Sequence, residues 1–188
     1  MKPKHLITIT LLILVIIAMS FTATQAQGPV ISTIGDPAVY GPADEIRALD
    51  AQATVAEQQM LALINQERTG RGLLPLAINS YLTKAALGHA QDQADHNFCG
   101  HTGSNGSNAW QRIPGAGYTG SLGGEVVACG QTSVQQTFDA WIASPGHRAI
   151  LDGVYGEFGL GWANKPGTNY VNFWVANFGG TPGQTTPG

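Results

Sequence analysis

The chain has 188 residues, enough for one domain of ordinary size with a single core and short tails. Only 11% of the residues are charged and the formal net charge is -3, with no basic stripe, which argues against nucleic acid as a partner. No Lys/Arg-rich helix is present of the kind that binds anionic lipid surfaces. The 25 glycines and 10 prolines predict many turns.

The N-terminus has the pattern of a secretory signal. Lys2 and Lys4 precede the apolar run Leu6–Met19, which is short for a membrane span, and small residues follow up to Ala26. We therefore predict that residues 1–26 are a signal peptide and that the protein is extracellular, free or associated with the cell envelope, without stable membrane insertion. An uncleaved anchor is the alternative.

The remaining chain divides by composition into three parts. Residues 27–48 begin with a segment rich in proline and glycine and are predicted to be a linker. Residues 49–180 carry the periodic patterns of a folded domain, expected to be a monomer. Residues 181–188 contain only Thr, Pro, Gly and Gln and are predicted to be a disordered tail.

Three long helices and one short helix are predicted. Good helix formers run from about Ala43 to Arg68, and Asn79 or Ser80 caps a second helix that ends at His96. A short helix is expected at residues 109–113, anchored in the core by Trp110 and Ile113. The third long helix is expected to end at Pro145-Gly146; its apolar residues fall at i, i+4, i+7 and i+8, namely Val134, Phe138, Trp141 and Ile142.

The strands are predicted near the C-terminal end and at residues 125–129. Residues 158–163 and 170–178 are separated by a turn-rich segment and are typical of a hairpin, whose second strand is apolar on both faces and therefore central. Helices followed by strands with one further helix between them predict an α+β fold: a three-layer α-β-α sandwich with a small antiparallel sheet between helices.

The sequence contains two cysteines, Cys99 and Cys129. An even number of cysteines in an exported protein usually indicates a disulfide, which here closes a loop of about 30 residues and contributes about 3 kcal/mol in the chain-entropy model. It ties the loop that carries His101 to the stretch that carries Glu125. A catalytic thiol is the alternative.

The chemistry of the chain centres on Glu125 and on two histidines in glycine-containing loops, His101 and His147. Two imidazoles and a carboxylate suit a divalent cation such as Zn²⁺, so these three residues are the candidate metal ligands. They equally suit a buried hydrogen-bonded cluster without an ion. His89 and His96 are better explained as a core and a helix-end histidine.

Six motifs in order resemble the CAP superfamily (cysteine-rich secretory proteins, antigen 5 and plant pathogenesis-related proteins) in its short bacterial form. The resemblance covers roughly residues 56–179. The motifs are Leu63-Ile64-Asn65-Gln66-Glu67-Arg68, Ala85-Ala86-Leu87-Gly88-His89-Ala90, Cys99-Gly100-His101-Thr102, Gly124-Glu125, Trp141-Ile142-Ala143-Ser144-Pro145-Gly146-His147-Arg148 and Phe173-Trp174-Val175.

The resemblance implies an α-β-α sandwich with a cleft lined by two histidines and usually two acidic residues, where some members bind zinc. His101 and His147 match the histidines, and Glu125 matches the glutamate of a Gly-Glu-Asn motif. Val126 replaces the asparagine of that motif. The second acidic position falls among residues 103–105, which contain no acid, so the resemblance implies a weakened cation site.

Three functions are consistent with these residues. The first is a secreted binding module whose cleft engages a small ligand, a lipid or an envelope component, with or without a metal. The second is a hydrolase in which His101 or His147 acts as the base with Glu125, and Ser104 or Ser107 is the nucleophile. In the third, Glu125 only accepts hydrogen bonds from the histidines and holds the loops together.

Overall fold

The computed structural model describes the backbone of residues 42–183 and the side chains of residues 54–183. The predicted signal peptide, most of the predicted linker and residues 184–188 lie outside the described residues. The helices are α1 Pro42–Gly70, α2 Ser80–His96, α3 Ala109–Gly115, α4 Val134–Ala143 and α5 Pro145–Leu151. The strands are β1 Ala77–Ile78, β2 Leu122–Cys129, β3 Glu157–Asn164 and β4 Asn172–Gly179.

The four strands form one sheet in the order β1-β3-β4-β2. β3 and β4 form the predicted hairpin and β4 also pairs antiparallel with β2, but the two-residue strand β1 runs parallel to β3. The expected antiparallel sheet is therefore mixed at one edge. Every residue of β4 is buried, which confirms its central position.

The helices cover both faces of the sheet, as predicted for a three-layer α-β-α sandwich. Alternate residues of β4 point to opposite faces: Trp174, Ala176 and Phe178 pack with residues of α1, α4 and α5. Phe173 and Val175 pack against alanines of α2. Residues of α2 also bind the loop that carries His101, so the position of that loop depends on how closely α2 packs.

Two glycines of β3 bring α2 unusually close to the sheet. A Cβ atom at Gly159 would lie 2.1 Å from the backbone nitrogen of Thr83, and one at Gly161 would lie 2.2 Å from the carbonyl carbon of Ala86. These contacts are with backbone, which no side-chain rotation relieves. The absence of a side chain at these two positions therefore sets the distance between the two layers.

The structure corrects two local predictions. Pro145 does not end the helical region: it is the first residue of α5, where its fixed φ and missing N–H are tolerated, so His147 lies in the first turn of a helix. Ile113 is fully buried as predicted, but Trp110 is 52% exposed and does not anchor α3 in the core. Helix α1 begins at Pro42, close to Ala43, where the run of helix formers begins.

Arg68 is buried at the end of α1, where it binds backbone carbonyls. Its guanidinium donates to the carbonyls of Leu74, Leu151 and Gly153 at 3.0, 2.7 and 2.8 Å. Burial lowers the pKa of Arg68 below its usual value. Among the described helices, none is long and apolar enough to span a bilayer.

Candidate functional site

Glu125, in β2, lies on the sheet face that α2 and α3 cover. Its neighbour in β4 is Asn177, and its side chain is only 3% exposed. A buried carboxylate is stable only when donors or cations compensate for the water that it has lost. The partners of Glu125 therefore define the site.

Two residues from neighbouring segments bind the Glu125 carboxylate. The Nδ1 atom of His101 lies 3.0 Å from Oε1, and the Nη2 group of Arg112 donates to Oε2 at 2.7 Å and to Oε1 at 3.0 Å. The Arg112 side chain is 13% exposed, whereas the His101 ring is 59% exposed. Glu125 and Arg112 thus form a buried ion pair that binds one side of an accessible imidazole. The three residues are called the Glu125 cluster below.

Arg112 is the residue of the site that sequence reasoning missed. Besides Glu125, it donates to the carbonyls of His101 at 3.0 Å and of Ser107 at 2.6 Å, so it also fixes both ends of the loop before α3. A sequence signal existed: Arg112 is the only Lys or Arg between Lys84 and Arg148. A carboxylate predicted to be buried in this segment had no other local cation to pair with.

The two histidines have opposite electrostatic environments. The hydrogen bond with Glu125 raises the pKa of His101 above its ordinary value, despite partial burial and the nearby Arg112. Burial, followed by the charge of His101, lowers the pKa of His147. His147 is thus within electrostatic range of His101, but within residues 54–183 no hydrogen bond joins it to His101 or Glu125.

The residues of the predicted zinc site do not fit three direct metal ligands in this arrangement. Both Glu125 oxygens already accept hydrogen bonds from the cationic Arg112, and a metal ion there would face its positive charge. Nowhere in the part of the chain with described side chains do three His, Cys, Asp or Glu residues form a group that could hold a metal ion. Zinc at His101, Glu125 and His147 thus stays a prediction for a titration to test.

Residues of α2 bind the loop that carries His101. His89 and Gln93 contact Gly100, and Asp92 accepts hydrogen bonds from both the backbone N–H and the hydroxyl of Ser104. Ser104, one candidate nucleophile, is therefore bound to Asp92 rather than to His101. His89 is 1% exposed, as expected for a core histidine, and burial lowers its pKa.

The predicted disulfide joins Cys99 to Cys129 with Cα atoms 6.2 Å apart. It connects the residue two positions before His101 to the end of β2, four residues after Glu125. Both ends of the His101–Glu125 hydrogen bond are thereby tied together covalently. The alternative of a free catalytic thiol is excluded, since no cysteine of the chain is free.

We expect the double substitution Cys99→Ser with Cys129→Ser to lower the free energy of unfolding by about 3 kcal/mol, because an open chain has more conformations when unfolded. Denaturant titration of the oxidised and variant proteins measures this difference. The wild-type protein under reducing conditions serves as the control and should match the variant; a variant as stable as the oxidised protein would contradict the prediction.

The His101–Glu125 pair predicts a pH-dependent contribution to stability. Because the folded pKa of His101 is raised, the contribution is complete below the ordinary value of 6.5 and is lost as the pH rises through the folded pKa. His101→Ala should therefore destabilise the protein at about pH 5 and have less effect at about pH 9, by less than about 1 kcal/mol since the ring is largely exposed. A pH-independent effect of His101→Ala would refute the prediction.

A separate groove lies between α1 and α4 and has a volume of about 300 Å³. It contains none of the predicted site residues, so it is distinct from the Glu125 cluster. Its lining consists of Gln59, Ala62, Leu63, Gln66, Val134 and Gln135.

Comparison with known sequences gives one family and one curated relative. The model of the CAP family, described as the cysteine-rich secretory protein family, matches residues 61–178. The chain is 28% identical over 130 residues to an uncharacterized Bacillus subtilis protein, YkwD, an alignment that covers 69% of this chain and 51% of the relative. The chain thus spans about half the length of that relative.

Two solved structures with a similar fold come from bacteria. An extracellular protein containing an SCP domain, from Bacillus anthracis, superimposes with a TM-score of 0.60 at 24% identity, over 69% of this chain and 41% of that one. An outer surface protein of Borrelia burgdorferi gives a TM-score of 0.58 at 24% identity, over 66% of this chain and 91% of that one. At this level of identity the similarity establishes the fold alone.

Proposed function

The chain belongs to the CAP family of cysteine-rich secretory proteins, and we propose that it is an extracellular binding module whose ligand site is the exposed imidazole of His101. The predicted signal peptide and the disulfide support export. One structural neighbour is described as extracellular and another as an outer surface protein, which supports the same location.

The observation that carries the proposal is the contrast between the two ends of the His101 ring. Nδ1 is fixed by a carboxylate that is only 3% exposed, while the ring as a whole is 59% exposed. A side chain that is oriented before the ligand arrives loses little conformational entropy on binding. The ring therefore presents Nε2 as a preorganised hydrogen-bonding group at the surface.

The ligand chemistry follows from the charges of the cluster. Glu125 and Arg112 neutralise each other, so a protonated His101 leaves one net positive charge, and the raised pKa of His101 favours that protonated form. His147 has a lowered pKa and supplies a neutral imidazole nearby. A positive donor suits an anionic group, such as a phosphate or carboxylate of a small ligand or an envelope polymer.

A hydrolase is the second candidate, since a carboxylate that orients a histidine through Nδ1 is also the arrangement of a general base. One candidate nucleophile, Ser104, is not aligned with that base, because its hydroxyl donates to Asp92. We therefore favour a binding site over a hydrolase. Turnover of an envelope substrate by the wild type that is lost in His101→Ala would favour the hydrolase instead.

Co-sedimentation with isolated bacterial cell walls tests the proposal. We expect the wild type to sediment with the walls at about pH 6, and His101→Ala to bind at least about tenfold more weakly, as expected for loss of a charge-assisted hydrogen bond. His96→Ala removes an equally exposed histidine outside the cluster and should bind like the wild type. Equal binding of all three proteins would overturn the proposal.

A zinc titration by calorimetry distinguishes a metal-dependent ligand site from a metal-free one. Binding near one ion per chain that is lost in His147→Ala would establish the cleft as a metal site, in which case Arg112 must move away from Glu125. Absence of zinc binding together with wall binding that survives a chelator supports the metal-free site.

A further inference from the structure

We propose that His89 and Gln93 are positioning residues for the ligand site: they hold the backbone of Gly100 and so direct His101 towards Glu125. The inference deepens the proposed function and rests on it, because it assigns roles to two buried residues that no ligand touches. It depends on the hydrogen bonds of Gly100 and on the burial of the two side chains.

Both polar groups of the Gly100 backbone are bound from inside the protein. The N–H of Gly100 donates to Oε1 of Gln93 at 2.9 Å, and Nε2 of His89 lies 2.8 Å from the Gly100 carbonyl oxygen, to which it must donate. His89 and Gln93 are one helical turn apart on α2 and are 1% and 0% exposed. Gly100, in a loop whose residues are mostly exposed, is therefore fixed at two points.

Stability alone does not explain these two side chains. The same face of α2 packs on the sheet through fully buried alanines at positions 86, 90 and 94, so apolar residues suit this layer. Nδ1 of His89 and Nε2 of Gln93 are buried without a hydrogen-bond partner among residues 54–183. Half-satisfied polar groups lower stability relative to apolar ones. What the two side chains share is Gly100, the residue immediately before His101.

The covalent connection supports the same role. Cys99, on the other side of Gly100, is bonded to Cys129, and Oε1 of Gln93 lies 3.8 Å from the Cys129 sulfur. The disulfide fixes the distance of the loop from β2, but it does not itself set the backbone dihedral angles between Cys99 and His101. The two hydrogen bonds of Gly100 restrict that rotation and thus the direction of the His101 side chain.

The tautomer of His101, read from its ring ¹⁵N chemical shifts in the oxidised full-length protein at high pH, tests the proposal without a ligand. Donation to Glu125 requires a proton on Nδ1, whereas a free imidazole favours the proton on Nε2. We expect the Nδ1–H form in the wild type and a shift to the Nε2–H form in His89→Leu and in Gln93→Met. His89→Gln retains a side-chain N–H and is expected to restore the wild-type tautomer.

Thr137→Val is the matched control, since Thr137 is fully buried on the opposite side of the sheet; it should change the melting temperature without changing the His101 tautomer. Wild-type tautomers in folded His89→Leu and Gln93→Met would overturn the proposal, and so would an Nε2–H form in the wild type. If neither variant folds, the two residues serve stability and the proposal is wrong. The two proposals can fail separately. If the tautomers change as expected but His101→Ala binds the walls like the wild type, the proposed function is wrong and the positioning role stands.

Discussion

Glu125→Ala is expected to lower the free energy of unfolding by about 3–5 kcal/mol, because it leaves the guanidinium of Arg112 buried without its counter-ion. Arg112 is 13% exposed and donates to both Glu125 oxygens, so water cannot readily replace the carboxylate. Denaturant titration at neutral pH, with and without a chelator, measures the loss.

Two controls make this result specific. Glu125→Gln keeps the shape and one acceptor and should lose less stability than Glu125→Ala. Glu67→Ala removes a carboxylate that is 32% exposed and pairs with Arg71 and Arg148 near the surface, where the expected loss is below about 1 kcal/mol. A loss below about 1 kcal/mol for Glu125→Ala, or a wild type that a chelator destabilises, would contradict a metal-independent cluster.

Gly161→Ala is expected to destabilise the fold by at least about 3 kcal/mol, at the upper end of overpacking effects. Its Cβ atom would lie 2.2 Å from the carbonyl carbon of Ala86 and from the backbone nitrogen of Leu87, so α2 must move away from the sheet. Because α2 carries His89, Gln93 and Asp92, the same displacement should disturb the His101 loop. Thermal and denaturant unfolding measure the first effect, and amide chemical shifts of residues 99–104 report the second.

Gly88→Ala is the matched control on the same helix. Nothing lies within 4 Å of a Cβ atom at Gly88, and alanine is the better helix former, so the variant should gain about 0.5–1 kcal/mol. A Gly161→Ala protein as stable as the wild type would mean that α2 does not pack on β3 as closely as described.

The sequence predicted those parts of the fold that local signals specify. The Asn79 cap of α2, the periodicity of α4 and the hairpin of β3 and β4 each depend on a few neighbouring residues. Strand β1 has only two residues and no periodicity of its own, and it exists because it pairs with β3. In a sequence, Pro145 is compatible with the end of one helix or with the first turn of the next. Only tertiary packing selects the second.

The residues of the site, like the elements of the fold, were predictable only where a local signal or the family resemblance identified them. Glu125 and His101 were recognised from residue type and from the resemblance, and their hydrogen bond agrees with the expectation that Glu125 accepts from at least one histidine. The role of Arg112 depends on a contact across 13 residues between α3 and β2, which no spacing rule specifies. The buried Glu157, which accepts hydrogen bonds from Asn79 and Tyr118, was missed for the same reason.

We propose that Glu125 and Arg112 hold His101 as a preorganised surface imidazole that needs no metal ion, with His147 within electrostatic range. The most direct test is an NMR pH titration of both imidazoles in the presence of a chelator. We expect His101 to titrate above the ordinary pKa of 6.5 and His147 to titrate below it. Two histidines that both titrate at the ordinary value, or a displaced His101 pKa that is seen only after zinc is added, would contradict the claim.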